Sequence, residues 1–194
     1  LIDISGFTYE MELGNMDRAL SFKEHKDKYS NLRSEVYSEV PKAINMPGVT
    51  LTPINMMALE KYKLWPNNSR VPPNGGWEWD SWVAYYRRKY PKRFEAAIWF
   101  GSILCGLLLG KMSAKNVHVR LEVLESSTDT AHPLKGRVAY IALSAVEMYG
   151  YALGAKEARI VDPVDGAINS YKKLGYELFE GTSKNEPRYL AKVL

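Results

Sequence analysis

Apolar residues run together in the middle of this chain and alternate with charged ones further along, and that contrast predicts most of its elements. Residues 96–110 carry no charge. The run is shorter than the roughly 20 residues that cross a membrane, and Gly101-Ser102 divides it as a two-residue hairpin turn would. Residues 94–100 and 103–111 are therefore expected as antiparallel strands buried on both faces, with 107–109 at the centre of the core. Alternation from His118 to Glu125 continues the meander as a further strand. Between Val138 and Ala155 the only charge is Glu147, so a long helix is expected there, covered on much of its circumference. A short strand at 158–161 leads into a second helix. For that helix Asp162 is the expected N-cap, Pro163 the first helical residue, Lys172 and Lys173 the basic last turn and Gly175 the left-handed stop. Residues 176–180 and 188–194 read as a closing hairpin around 181–187.

The first 48 residues differ in pattern. Residues 2–13 are expected as strand or coil, and 16–40 as a charged, partly amphipathic helix in which Ala19, Leu20 and Phe22 precede Tyr29, Leu32, Val36 and Tyr37, the last four spaced by threes and fours. Pro41 and Pro47-Gly48 then punctuate the chain. This extension (1–48) could cover the uncharged long helix of a second unit (49–194); the alternative is an oligomerisation or partner-binding arm, as in a homodimer. The second unit opens with a strand at 49–53 and a helix at 54–64. Residues 66–76 hold three prolines, two glycines and three asparagines and form a loop. The aromatic stretch 77–90 comes next, with Trp82, Tyr85 and Tyr86 on one helical face, and then a basic run of Arg87, Arg88, Lys89, Lys92 and Arg93, a solvated face or a nucleic-acid contact.

Composition adds bounds rather than detail. At 194 residues and 46% hydrophobic the chain can bury a real core. A formal charge of +4 favours anionic ligands such as a phosphorylated coenzyme or RNA. The single cysteine, Cys105, excludes an internal disulfide and points to a reducing, cytoplasmic setting. His25, His118 and His132 lie far apart without ligand spacing, so no metal is expected. Asn67-Asn68-Ser69 fits a glycosylation pattern with nothing else to support secretion. The chain begins at Leu1 rather than Met, so a longer native beginning is expected.

The basic turn Pro133-Leu134-Lys135-Gly136-Arg137 enters the long helix, where free backbone N–H groups and the helix dipole favour phosphate. Further on, Leu153-Gly154-Ala155-Lys156 closes that helix, and Tyr171-Lys172-Lys173-Leu174-Gly175-Tyr176 sets a tyrosine before Lys-Leu-Gly and an aromatic. At these residues the sequence resembles the GNAT acetyltransferases, which move an acetyl group from acetyl-coenzyme A to an amine. The resemblance covers about 49–194 and implies an α/β fold: a mixed, mostly antiparallel central sheet flanked by helices, here with an N-terminal helical extension. The pyrophosphate loop is atypical. Counted back from Leu153 without a gap, Leu134 stands where the family usually has Arg or Gln, and Arg137 and Ala139 stand at its first two glycine positions.

The resemblance implies acetyl-coenzyme A as co-substrate, with Val123, Leu124, Lys135, Gly136, Arg137, Val138, Ala139 and Tyr140 about it. Tyr171 is the expected acid for the departing thiolate. For the base, Glu122 and Glu125 are the carboxylates of the fourth strand. Alternation puts them on opposite faces unless a bulge intervenes; Glu125, nearer the coenzyme loop, is preferred. A backbone N–H near a break in that strand would polarise the carbonyl. The acceptor amine could belong to a small molecule, a protein or an aminoacyl-tRNA. A non-catalytic binding module acting through the extension is the alternative from another class.

Overall fold

The computed structural model describes residues 22–66, 70–181 and 187–194, with side chains from Asp27 onward. The expected strand or coil at 2–13, the start of the first helix with Ala19 and Leu20, the Asn67-Asn68-Ser69 pattern and the middle of the closing turn lie outside these residues. In chain order the elements are α1 (Phe22–Ala43), β1 (Val49–Thr52), α2 (Met56–Lys63), α3 (Trp79–Lys89), β2 (Arg93–Phe100), β3 (Ile103–Met112), β4 (His118–Ser126), α4 (Val138–Ala152), β5 (Glu157–Val161), α5 (Asp165–Lys173), β6 (Glu177–Phe179) and β7 (Tyr189–Val193).

The strands form one seven-stranded sheet in the order β1-β2-β3-β4-β5-β7-β6. Every pairing is antiparallel except β4 with β5. β2 and β3 are the expected hairpin, closed at Gly101-Ser102 with Phe100 opposite Ile103, and both are buried on both faces. Two helical layers do the burying. On one face α1 and α4 pack with Phe94, Ala96, Ile98, Leu108, Val119 and Leu121. On the other, α2 and α3 pack with Ala97, Trp99, Leu107, Leu109 and Val123.

α1 is held by a stripe at helical spacing, Tyr29, Leu32, Val36 and Val40, all buried. Each such aliphatic side chain stabilises the contact by roughly 1.5–3 kcal/mol. α1 lies against α4, in which every residue from Ile141 to Gly150 is buried. The one charge of α4, Glu147, is also buried and accepts hydrogen bonds from Tyr176 Oη at 2.9 Å and Lys192 Nζ at 2.8 Å. α1 also caps an open sheet edge. β1 pairs with residues 97–100 of β2 only, and over the other half Arg33 donates to the Arg93 carbonyl at 3.3 Å and Tyr37 to that of Glu95.

Four local expectations change. Pro41 lies inside the last turn of α1 rather than ending it. In α3 the buried stripe is Trp79, Val83 and Tyr86, whereas Tyr85 is exposed. The basic run is not one solvated face: Arg93 is buried against Glu95, and Arg87 pairs with the same carboxylate. α5 starts at Asp165 instead of Pro163, and Asp162 is not its cap. The cause is Arg188, whose carbonyl accepts the Asp162 N–H at 2.9 Å and whose guanidinium holds the Pro163 carbonyl at 2.8 Å and Asp165 at 2.7 Å. These bonds hold 162–164 out of the helix, Asp162 in a left-handed conformation and Val164 in an extended one, and delay its start.

Candidate active site

β4 and β5 are paired only from His118 opposite Glu157 to Leu121 opposite Ile160. β4 runs on to Ser126 while β5 ends at Val161, so the two strands part. The backbone of β4 beyond Leu121 has lost its ladder on that side. A cleft of about 160 Å³ fills the gap, lined by Leu124, Val161 and Val164 and by Trp77, Glu122, Asp162 and Tyr171. A larger groove of about 390 Å³ between α4, α5 and β7 carries less chemistry, because its carboxylate, Glu147, is already paired internally.

A register shift in β4 decides where the carboxylates point. Val123 lies opposite Leu109 but Leu121 lies opposite Gly110, leaving Glu122 as an extra, unpaired residue. Such a bulge resets alternation. Glu122 and Glu125 consequently share the α3 face. Glu122 Oε2 accepts from Tyr86 Oη and lies 2.9 Å from Lys111 Nζ; Oε1 lies 3.2 Å from Arg120 Nε. Burial, and next the Glu122 charge, push the Tyr86 phenol far above its ordinary value, so Tyr86 stays a donor.

Glu125 has a different environment. Its side chain is 1% exposed and accepts from Gly76 N at 2.7 Å, Trp79 Nε1 at 2.7 Å and Arg70 Nη2 at 3.1 Å. Arg70 also donates to the Ser126 carbonyl at 2.9 Å. The carboxylate thus ties the 70–79 loop, which carries Trp77, to the end of β4. Glycines are needed for it to do so. A Cβ at Gly76 would lie 1.8 Å from the Arg70 carbonyl oxygen, and one at Gly75 2.8 Å from Glu125 Oε1, and both have positive φ. Arg70, inside a loop read from composition alone, had no sequence signal.

Tyr171, buried on α5, faces the cleft, and burial raises its phenol above the ordinary value. Asp162, read from the sequence as a cap, instead enters the cleft as an exposed carboxylate in a left-handed backbone conformation, φ 47°. Beyond β4, the turn Lys135, Gly136 and Arg137 is exposed, with Gly136 at φ 75°. Arg137 occupies the N-cap of α4 with no side-chain cap, so the first-turn N–H groups of Val138, Ala139 and Tyr140 have no intrahelical partner. Ala139 and Tyr140 are half-buried and Val138 is buried. Leu134 is 1% exposed and belongs to the core, so it cannot present a polar group to phosphate. The residues fit a phosphorylated coenzyme: an uncapped helix end, two exposed cations and a glycine turn beside parted strands. Among the described residues no cluster of metal-ligating side chains occurs, and no helix is long and apolar enough to cross a membrane.

A mostly antiparallel sheet whose single parallel pair parts around a bulged strand, with a helix entered through a basic turn, is the fold of the GNAT acetyltransferases. No protein-family profile matches the chain, and no curated protein matches it in sequence. Solved structures match it in fold. An acetyltransferase from Streptococcus agalactiae superposes with a TM-score of 0.55 at 9% identity, over 77% of this chain and 100% of that one. The Salmonella typhimurium enzyme that modifies the N-terminal serine of ribosomal protein L7/L12 gives 0.54 at 10%, over 76% and 96%. Arabidopsis thaliana Naa50 in complex with a bisubstrate analogue, CoA-Ac-MVNAL, gives 0.50 at 16%, over 76% and 99%.

Proposed function

We propose that this protein transfers an acetyl group from acetyl-coenzyme A to a primary amine. The observation that carries the proposal is the parting of β4 from β5 at the Glu122 bulge, with Tyr171 facing the gap. Bound there, the coenzyme would supply an activated acetyl thioester. Lys135, Arg137 and the first-turn N–H groups of α4 would hold its phosphates, and Val123 and Leu124 would lie along it on β4. Glu122 and Asp162 draw a cationic amine into the cleft. Glu122 takes one proton from the ammonium, directly or through one water, through Oε1, the oxygen it shares among the described residues with Arg120 alone, and so frees the lone pair that forms the C–N bond; the second proton, shed as the tetrahedral intermediate collapses, replaces the one that Tyr171 gives up. Tyr171, kept protonated by burial, gives a proton to sulfur as the C–S bond breaks. A backbone N–H of the unladdered part of β4 faces the carbonyl oxygen. Glu125, with its donors already in place, anchors the loop that frames the acceptor.

A polypeptide amine is the acceptor class suggested by the ribosomal-protein enzyme and the peptide-conjugate complex among the structural neighbours. An aminoacyl-tRNA remains compatible with the chain's charge of +4, and a reducing, cytoplasmic setting with its one thiol, Cys105, which is buried.

Thermal unfolding with acetyl-coenzyme A tests the first half. At about 100 times the dissociation constant the ligand should add roughly 2.7 kcal/mol, and K135A/R137A should weaken the shift. No shift at millimolar coenzyme overturns the reading and favours a binding module, for which the burial of Leu134 already speaks. For the chemistry, Y171F and E122Q should each lower turnover about 10²-fold or more with coenzyme affinity kept.

A further inference from the structure

At the unpaired half of the β2 edge, three arginines line one small pocket with a single carboxylate, Glu95, which two of them hold. Glu95, 2% exposed, accepts from Arg87 Nε at 2.9 Å and Nη2 at 3.0 Å and from Arg93 Nε at 3.1 Å. Arg33, reaching in from α1, is 5% exposed and spends one N–H on the Arg93 carbonyl at 3.3 Å. Among the described residues no carboxylate comes within ion-pair distance of Arg33. Three positive charges therefore face one negative charge around a pocket of about 130 Å³, whose rim also carries the hydroxyl-bearing residues Ser30, Ser34 and Tyr37. Burial, and next the Arg33 charge, push the Arg93 guanidinium below its ordinary value. That is the direction expected of a cation short of counter-charge.

A buried charge without a partner is strongly unfavourable, and arginine forks match oxyanion geometry. We propose that this pocket binds a tetrahedral oxyanion, a phosphate or sulfate group, between α1, β2 and α3. A dianion would balance the excess of two charges, with Arg33, Arg87 and Arg93 donating from separate elements. The volume suits one such group and falls below the roughly 300 Å³ at which sites for whole small-molecule ligands begin. The occupant therefore enters as a free ion or as the terminal group of a molecule whose body stays outside. It would also cross-link α1 to the sheet, since Arg33 belongs to the first and Arg93 to the second.

The test is thermal unfolding of the whole chain against inorganic phosphate and sulfate, with ionic strength held constant by chloride. The expected result is a saturable rise, roughly 5 °C or more at about 100 times the dissociation constant. R33Q keeps an amide donor for the Arg93 carbonyl and should abolish the shift, whereas K135A/R137A, altering the coenzyme turn, should retain it. If R33Q does not fold, R87Q serves, because that side chain is 40% exposed. O-phosphoserine in place of the ion separates the two sources: a shift with both supports a site reading the group alone, and a larger shift with the ester supports a group presented on a carrier. Absence of any saturable shift, its persistence in R33Q, or its loss in K135A/R137A overturns the proposal.

Discussion

Replacing Glu125 with Gln separates anchor from base. In E125Q the amide oxygen can keep the Oε1 position and still accept from Gly76 and Arg70, but the NH₂ then takes the Oε2 position and meets the Trp79 Nε1–H, donor against donor. One charge-assisted hydrogen bond is lost, about 1.5–3 kcal/mol, and a buried indole N–H is orphaned, about 1–3 kcal/mol. The Arg70 ion pair adds little, because that side chain is 34% exposed and its charge is screened. Taking about 3 kcal/mol for the sum, and about 2–4 °C per kcal/mol for a chain of this size, E125Q should melt about 6–12 °C below the parent. If Glu125 positions the loop and Glu122 moves the proton, as proposed, KM for the acceptor should rise more than kcat falls, and the pH dependence of kcat should keep its shape. The assay pairs thermal unfolding with initial rates of coenzyme A release across pH. A melting temperature within about 1 °C of the parent, together with a 10²-fold or larger fall in kcat, would refute the anchor and restore Glu125 as the base.

Two further perturbations test other parts of the structure. Gly150 of α4 faces β4, and a Cβ there would lie 2.4 Å from Val119 Cγ1; overpacking of about 1–3 kcal/mol exceeds the helix-propensity gain of just under 1 kcal/mol, so G150A should lower the urea midpoint, and a raised midpoint would contradict the close approach. His132 is buried beside the turn at Lys135, whose N–H its carbonyl accepts, and burial lowers its pKa below the ordinary value. Between that lowered value and the unfolded value of about 6.5 the folded state binds fewer protons than the unfolded one. Stability is therefore complete above about pH 6.5 and is lost as pH falls through the window. Melting curves between pH 7.5 and pH 5 should slope less in H132Q than in the parent, and equal slopes would count against it.

Much of the fold could be read along the chain because burial here is patterned one element at a time. The β2–β3 hairpin announced itself by an uncharged run with a glycine at its middle, and the covering of α4 by a helix with a single charge. The Tyr171 position came from a short motif at the end of α5. Tertiary ties were harder to foresee. Asp162 has the chemistry and the following proline of a good N-cap, yet Arg188, 26 positions later, holds its N–H and the next carbonyl and makes it a cleft residue instead. Likewise Arg87 and Arg93 look like two members of a solvated basic run until β2 brings Glu95 between them.

The placement of Glu122 and Glu125 on one face was the largest structural departure from simple alternation, and it did have a sequence signal, though not in β4. An isolated glycine inside a strand pattern marks a bulge or a close backbone approach, and β3 contains two, Gly106 and Gly110. Each sits beside a register shift: Gly106 where the β2 pairing slips between Ile98 and Trp99, and Gly110 where the β4 pairing slips past Glu122. A Cβ at Gly110 would lie 2.4 Å from the Arg120 carbonyl oxygen, so only glycine lets the bulged strand come this close. The bulge that aims Glu122 at the cleft is thus encoded on the neighbouring strand, twelve residues away in sequence. A G110A substitution would push β4 outward at Arg120 and disturb the carboxylate's approach to Lys111 and Tyr86, even though Gly110 itself touches nothing in the cleft.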